Sequence, residues 1–272
     1  MRLLVFGLGY TASRVAARVR ARGGEVRATG SSGDLAFEDA GRAIPWATHI
    51  LSSVPPADDT DPVLAAYGDL LARTPAWLGY FSSTGVYGDT GGAWVDETAP
   101  IGTGRRPARA RADADWLRLG ARVFRPPGIY GPGRSALDRV KNGRAHLVDA
   151  PGQVFSRVHV DDIASGVTAA LDAPPGAYNL ADDLPCSQNE VVRYAARLLG
   201  LPPPPVVPLD ALSPMARGFY RENRRVSNSK AKRVLNWTPR YPDYRLGLRA
   251  VSAITSPTPA SSPPTAASAD QR

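Results

Sequence analysis

Residues 2–6 (Arg2-Leu3-Leu4-Val5-Phe6) form a short, nearly unbroken apolar run, the pattern of a strand buried on both faces. Gly7 to Thr11 interrupt it as a turn. Apolar positions then recur at helical spacing over 12–22, at Val15, Ala16 and Val19. Gly23-Gly24 end that helix as a glycine cap does, and residues 25–29 return to a strand pattern. The alternation continues with a strand over 48–54, stopped by Pro55-Pro56, and a helix over 61–71 with Asp61 as N-cap and Pro62 at its first position. Strands are expected over 77–82 and 122–125, with a helix over 108–119 between them. A helix capped by Asp161 or Asp162 runs to about Leu171, and a short strand covers 177–180. A helix over 188–199 is closed by Gly200 and by the run Pro202-Pro203-Pro204-Pro205. Strand and helix in regular alternation predict an α/β protein with a doubly wound parallel sheet. Past Val251 the composition shifts to Ser, Thr, Pro and Ala, which reads as a disordered tail over 252–272.

A chain of 272 residues suffices for one large α/β domain and a smaller lobe. Its one cysteine, Cys186, excludes a disulfide framework within the chain and argues against a cysteine-based zinc site, so no metal is expected. The net charge is +8, but the excess is arginine scattered along the chain, dense only at 105–111 and 221–233. Such an excess reads as a solvated face that also suits phosphate-bearing ligands. No recognition helix or aromatic–basic motif accompanies it, so nucleic acid is not an expected partner. The apolar run at the N-terminus is too short for a signal peptide, and no stretch reaches membrane-spanning length. The expectation is a cytoplasmic protein with a small-molecule partner and no membrane contact. A homodimer is left open.

Gly7-Leu8-Gly9-Tyr10-Thr11-Ala12 fits G-x-G-x-x-G/A between a strand and a helix, the context that makes this motif a dinucleotide site. Gly7 permits the tight turn, Gly9 lets backbone approach a pyrophosphate, and Ala12 lets the helix pack close to the strand. The amides from Tyr10 and Thr11 onward, with the positive end of the helix, face the phosphates. An NAD site usually closes its second strand with an acid. Here Thr29 runs into Gly30-Ser31-Ser32, and no carboxylate comes before Asp34. Ser31 and Ser32 could bond a 2′-phosphate, which favours NADP over NAD. A plain serine-rich turn is the alternative.

Four stretches resemble the extended short-chain dehydrogenase/reductases, specifically the NAD(P)-dependent epimerase/dehydratase family. They are the glycine turn, residues 81–88 (Phe81-Ser82-Ser83-Thr84-Gly85-Val86-Tyr87-Gly88), residues 125–133 (Arg125 to Gly133, including Tyr130-Gly131-Pro132) and residues 158–164 (Val158-His159-Val160-Asp161-Asp162-Ile163-Ala164). Residues 228–239 are similar to that family's C-terminal element. The resemblance implies a Rossmann domain over 1–180, with 126–156 contributing to the substrate side, and a substrate lobe over 181–251. It implies that Ser83, with Thr84 beside it, offers a hydroxyl to the reacting oxygen. Tyr87, Tyr130 and His159 read as packing residues.

The chain departs from the family at its proton-transfer pair, a tyrosine followed four residues later by lysine. The only lysines are Lys141, Lys230 and Lys232, and none follows a tyrosine at that distance. Alignment places Pro107 at the tyrosine and Arg111 at the lysine. Arg111 could hold the cofactor ribose but titrates too high to act as a base. Phe155 stands where nucleotide-sugar epimerases often carry arginine, and Arg157 is two residues on. Nucleotide sugars are therefore one candidate among several. Two functions remain: an atypical oxidoreductase or epimerase/dehydratase acting on a hydroxyl- or keto-bearing small molecule, or a dinucleotide-sensing protein that has lost turnover.

Overall fold

In the computed structural model, which describes residues 1–255, the strands and helices alternate as the pattern predicts. β1 (Arg2–Phe6) passes through the glycine turn into α1 (Tyr10–Ala21), and β2 (Glu25–Ala28) pairs parallel with β1. β3 (His49–Ser52), α2 (Pro62–Arg73) and β4 (Trp77–Phe81) extend the sheet on the other side of β1. The two-residue β5 (Trp94–Val95) and α3 (Pro107–Arg118) lead to β6 (Arg122–Arg125), which pairs with β4. β7 (Gly128–Tyr130), α4 (Ala136–Lys141) and β8 (Leu147–Asp149) leave this sheet. β9 (Arg157–His159) and α5 (Val160–Ala169) return to it at β10 (Gly176–Asn179). Then follow α6 (Gln188–Leu198), β11 (Val206–Pro208), α7 (Pro214–Tyr220), β12 (Arg225–Val226), α8 (Ser229–Leu235) and α9 (Tyr244–Thr255).

The central sheet has six parallel strands in the order β10-β6-β4-β3-β1-β2. The order reverses beside β1, so a crevice opens at the carboxyl ends of β1 and β3, where such sheets bind ligands. Alternate residues of each strand feed two cores. Leu3, Val5, Phe81 and Phe124 pack with α1 and α5 on one face. Leu4, Phe6, Tyr80 and Val123 pack with α2 and α3 on the other. Each buried Leu, Val or Phe contributes about 1.5–3 kcal/mol, so the continuous apolar runs are what hold the strands inside. A third core joins Tyr130, Leu137 and Leu147 to Val191, Tyr244 and Leu248. Ala231, Leu235 and Trp237 do not join it; they pack against the first core.

The structure corrects several boundaries. Tyr10 and Thr11 are helical, because α1 starts directly after Gly9. Neither Asp161 nor Asp162 caps α5: His159 does, with Nδ1 accepting from the Asp161 amide at 3.2 Å. Asp162 is buried and accepts from the amides of Arg240 (2.7 Å) and Tyr241 (3.0 Å), fastening a distant segment to α5. Residues 252–255 belong to α9 and not to a tail. The rest of the expected tail, 256–272, lies outside the described residues. Among those, no helix is long and apolar enough to cross a membrane.

Candidate active site

The glycine turn is locked from the backbone outward. Gly7 sits at φ +83°, where a Cβ would also meet Val54 Cγ2 at 3.0 Å. Its amide donates to Thr29 Oγ1 (3.1 Å), the Leu8 amide donates to Thr29 O (2.8 Å), and Ser53 Oγ donates to Gly7 O (2.6 Å). The ends of β1, β2 and β3 are thus tied at one point. Gly9 is the N-cap of α1, and no side chain caps the helix. A Cβ on Gly9 would meet nothing within 4 Å, so the space above the turn is open. Ala12 is fully buried against the sheet. Open space, first-turn amides without a side-chain cap and a helix end fit a pyrophosphate. Tyr10 donates from its hydroxyl to Pro132 O (3.1 Å), and the Arg134 guanidinium lies over its ring at 5.7 Å. The turn is thereby joined to the 131–134 loop.

Ser31 and Ser32 are exposed just beyond β2. Asp34, the first acid after them, turns back to accept from the Ala28 amide at 2.8 Å. Ser83 caps the 3₁₀ turn Thr84–Tyr87, accepting from the Gly85 amide at 3.1 Å. That leaves its hydroxyl proton available for donation. The Thr84 amide donates to Pro126 O (3.2 Å), which ties the turn to the loop after β6.

Tyr87 donates to Asn179 Oδ1 (2.8 Å) and accepts from Arg125 Nη1 (2.9 Å), and burial pushes its pKa up. Tyr130 is buried with no partner for its hydroxyl among the described residues, and burial followed by the nearby Asp182 raises its pKa well above the phenol range. Burial lowers His159 to about 4, which keeps its ring neutral at pH 7.

Arg111 pairs with Asp59, in the loop after β3, on an exposed edge of α3. Arg109, one half-turn earlier, points inward and donates to Phe81 O (3.1 Å) and Tyr80 Oη (3.0 Å). Pro107 is the first residue of α3.

A cavity of about 860 Å³ adjoins Ser83 and Thr84 and reaches Tyr130 and Tyr244. Its walls carry Arg105, Arg106, Arg134, Arg139, Arg144, Arg157 and Arg224, against only Asp138 and Glu222. Asp138 is engaged in the Ser135 capping box. The buried Glu222 accepts from the Arg105 amide (2.8 Å) and pairs with Arg105 Nε (3.5 Å) and Arg224 Nη1 (3.0 Å). The two dense arginine stretches of the sequence therefore meet at Glu222. Their density was the signal in the sequence; their convergence on one wall was not visible in it. Among the described residues, no group of His, Cys, Asp and Glu could hold a metal ion.

No family model matches the chain. It is 41% identical to a conserved protein of unknown function from Silicibacter pomeroyi, whose structure superposes with a TM-score of 0.82 over 93% of this chain and 98% of that one. A Thermus thermophilus UDP-glucose 4-epimerase in complex with NAD superposes at TM-score 0.71 with 22% identity, over 92% of this chain and 99% of that one. The human epimerase family protein SDR39U1 with NADPH superposes at 0.73 with 17% identity, over 93% and 99%. A Streptomyces 3-diazoavenalumate denitrifying reductase is 32% identical over 176 residues, and the match spans only 58% of that relative and 57% of this chain. The chain belongs to one family with the Silicibacter protein, and it shares its fold, helices around a six-stranded parallel sheet, with the Thermus epimerase and with SDR39U1.

Proposed function

We propose that this chain is an NADP(H)-dependent oxidoreductase acting on an anionic, keto- or hydroxyl-bearing small molecule. The observation that carries the reading is the joining of two features. The glycine turn is bonded through Tyr10 to the 131–134 loop, and Gly133 and Arg134 of that loop line the arginine-walled cavity containing Ser83 and Thr84. Gly7, Gly9 and the first-turn amides of Tyr10, Thr11 and Ala12 would hold the pyrophosphate. Ser31 and Ser32 would take the 2′-phosphate, and Arg111 with Asp59 the ribose side. The bound nicotinamide would supply or accept a hydride. Ser83 and Thr84 orient the substrate oxygen, and the arginines draw in and hold its negative charge. Nucleotide sugars are one class with suitable charge. The Streptomyces relative is named as a reductase, and SDR39U1 was solved with NADPH.

A second reading, a dinucleotide-binding protein without turnover, rests on the missing tyrosine–lysine pair. NADPH oxidation measured against a panel of keto acids, sugar phosphates and nucleotide sugars separates the two. Slow but saturable oxidation with an anionic member supports the enzyme. Tight NADPH binding with no oxidation across the panel supports the second reading.

A further inference from the structure

Two arginines of the cavity wall, Arg157 on β9 and Arg139 on α4, carry charge that no side chain among the described residues neutralises. Arg157 is 5% exposed and Arg125 2%. Arg125 is gripped by the Asp113 carboxylate. Arg157 has no such partner: Nη1 donates to Cys186 Sγ (2.8 Å) and Nη2 to Cys186 O (3.3 Å), and no carboxylate pairs with it among the described residues. Of the five N–H groups of a guanidinium, three are left without an acceptor there. Asp182 feels the Arg157 charge, but burial raises that carboxyl to about 8, so near neutral pH it is mostly protonated. The Arg139 guanidinium has no hydrogen bond or ion pair among the described residues. Arg139 is exposed, yet burial pushes its pKa down and the Arg157 charge adds to this. The two facts agree if the surface it shows faces the cavity that it lines and not bulk water. The two acids of that wall are already engaged, Asp138 by Ser135 and Glu222 by Arg105 and Arg224. A desolvated charge without a counterion is costly, and an anion bound beside it relieves the cost.

Much of the remaining wall is apolar. Phe155 and Tyr220 meet edge to face at 5.3 Å, the Arg157 guanidinium lies over Tyr244 at 5.7 Å, and that of Arg105 lies over Phe219 at 3.9 Å. α7, which carries Phe219 and Tyr220, buries none of its residues, so its rings have surface left to pack on a ligand. Arg157 pairs with Gly128 across β7 and β9, and Gly128 is two residues past Pro126, whose carbonyl accepts from the Thr84 amide (3.2 Å). One short stretch of backbone therefore joins the arginines to the Ser83–Thr84 turn.

We infer that Arg157 and Arg139 hold the oxyanion head of the substrate, a carboxylate or a phosphate, while Phe155, Phe219 and Tyr220 pack on an aromatic body, so that the substrate is an aromatic acid bearing the keto or hydroxyl group and not a nucleotide sugar. Arginine suits the head, because its planar fork bonds two oxygens at once and its charge is permanent. The rings suit the body, because aromatic pairs gain from edge-to-face contact beyond the area they bury. The hydroxyls of a sugar set among the same rings would give up water for few partners, and a buried hydroxyl left unpaired is disfavoured.

The assignment rests on the oxidoreductase reading for the keto or hydroxyl group alone, and binding of unreactive probes tests it apart from turnover. Calorimetry on the full chain, with NADP⁺ and without it, compares 3-phenylpropanoate, phenyl phosphate, 3-phenylpropan-1-ol, acetate and UDP-glucose. The parent binds an aromatic anion saturably, and the tighter of the first two identifies the head. The alcohol, which lacks the charge, and acetate, which lacks the ring, each bind about tenfold or more weakly. Arg157→Gln and Arg139→Gln each weaken the aromatic anion about tenfold and leave the alcohol unchanged, whereas Tyr220→Ala weakens both. A merely structural Arg157 predicts a lower melting temperature with unchanged affinity. If Arg157→Gln unfolds, Arg139→Gln, at an exposed position, decides alone. UDP-glucose binding more tightly than both aromatic anions, no saturable binding of either, or unchanged affinity in the folded arginine variants overturns the assignment. Binding in the expected pattern by a protein that oxidises no NADPH across the panel above supports the pocket and defeats the oxidoreductase reading alone.

Discussion

Arg125 grips Asp113 through two hydrogen bonds, Nε to Oδ2 at 2.9 Å and Nη2 to Oδ1 at 2.6 Å, with both side chains shut off from solvent. Its Nη1 continues to Tyr87, and Tyr87 to Asn179. One buried chain of bonds therefore joins α3, β6 and β10 to the 3₁₀ turn that Ser83 caps. Because the pair is buried, removing one partner strands a charge. Asp113→Ala is expected to lose about 3–5 kcal/mol. The double variant Asp113→Ala/Arg125→Met is expected to lose clearly less. Urea unfolding of the two variants checks this; equal losses would mean that the pair acts only through packing.

Three buried groups set how stability depends on pH. Burial raises Asp182 to about 8, so the folded state holds its proton up to pH values where the unfolded carboxyl, near 3.8, has lost it. Stability from this residue is present below the unfolded value and is lost as pH rises through about 8, by up to about 1.4 kcal/mol per pH unit. Burial likewise raises Asp162, to about 6, with the same sign. His159, lowered to about 4, acts oppositely between about 4 and 6.5, where its neutral folded form favours higher pH. Between pH 6.5 and 8 the Asp182 effect therefore stands alone among the three. Thermal unfolding across that range should show a decline that Asp182→Asn flattens. A parent stability that rises with pH there would contradict the assignment.

The two glycines of the turn should behave differently on substitution. Gly7→Ala places a Cβ at φ +83° and against Val54, and should cost about 1–3 kcal/mol of stability. Gly9 has ordinary φ and open space, so a side chain there should leave the melting temperature nearly unchanged. Differential scanning calorimetry of Gly7→Ala and Gly9→Val compares them directly.

The six strands of the sheet, α2 with its Asp61 cap and the glycine turn were legible because each is encoded locally. An apolar run, a cap residue three positions from its amide and a G-x-G spacing all lie within a few residues of one another. The Asp61 carboxylate does accept from Val63 and Leu64 as read. His159 as a cap was not legible, because a histidine is not a usual capping residue and two aspartates follow it. The short pairs β5–β12 and β8–β11 were hidden because each has two or three residues and a partner roughly 60 to 130 positions away. The arginine stretches 105–111 and 221–233 stood out by their density, but their meeting on one cavity wall did not. Arg105 and Arg224 are meaningful only once Glu222 brings them together, and residue spacing carries no trace of that.

The proposed preference for NADP rests on the turn after β2. With Asp34 drawn back to Ala28, Ser31 and Ser32 face solvent without a carboxylate beyond them. NADP should bind more tightly than NAD, and Ser31→Asp should lower NADP affinity by about tenfold or more through like-charge repulsion. Parallel titrations at one ionic strength check it; equal affinities in the parent would count against the preference.

Turnover, where found, should depend on Ser83. Ser83→Ala is expected to lower kcat by about a hundredfold or more while dinucleotide affinity stays within about twofold. Full activity in the variant would reduce Ser83 to a cap of its 3₁₀ turn.

The central claim, that the glycine turn is a working dinucleotide site, is tested most directly by calorimetric titration of NADPH into the parent and Gly9→Val. Saturable binding is expected for the parent and none for a folded Gly9→Val, whose side chain takes up the open space above the turn. NADPH binding equally well to both would contradict it.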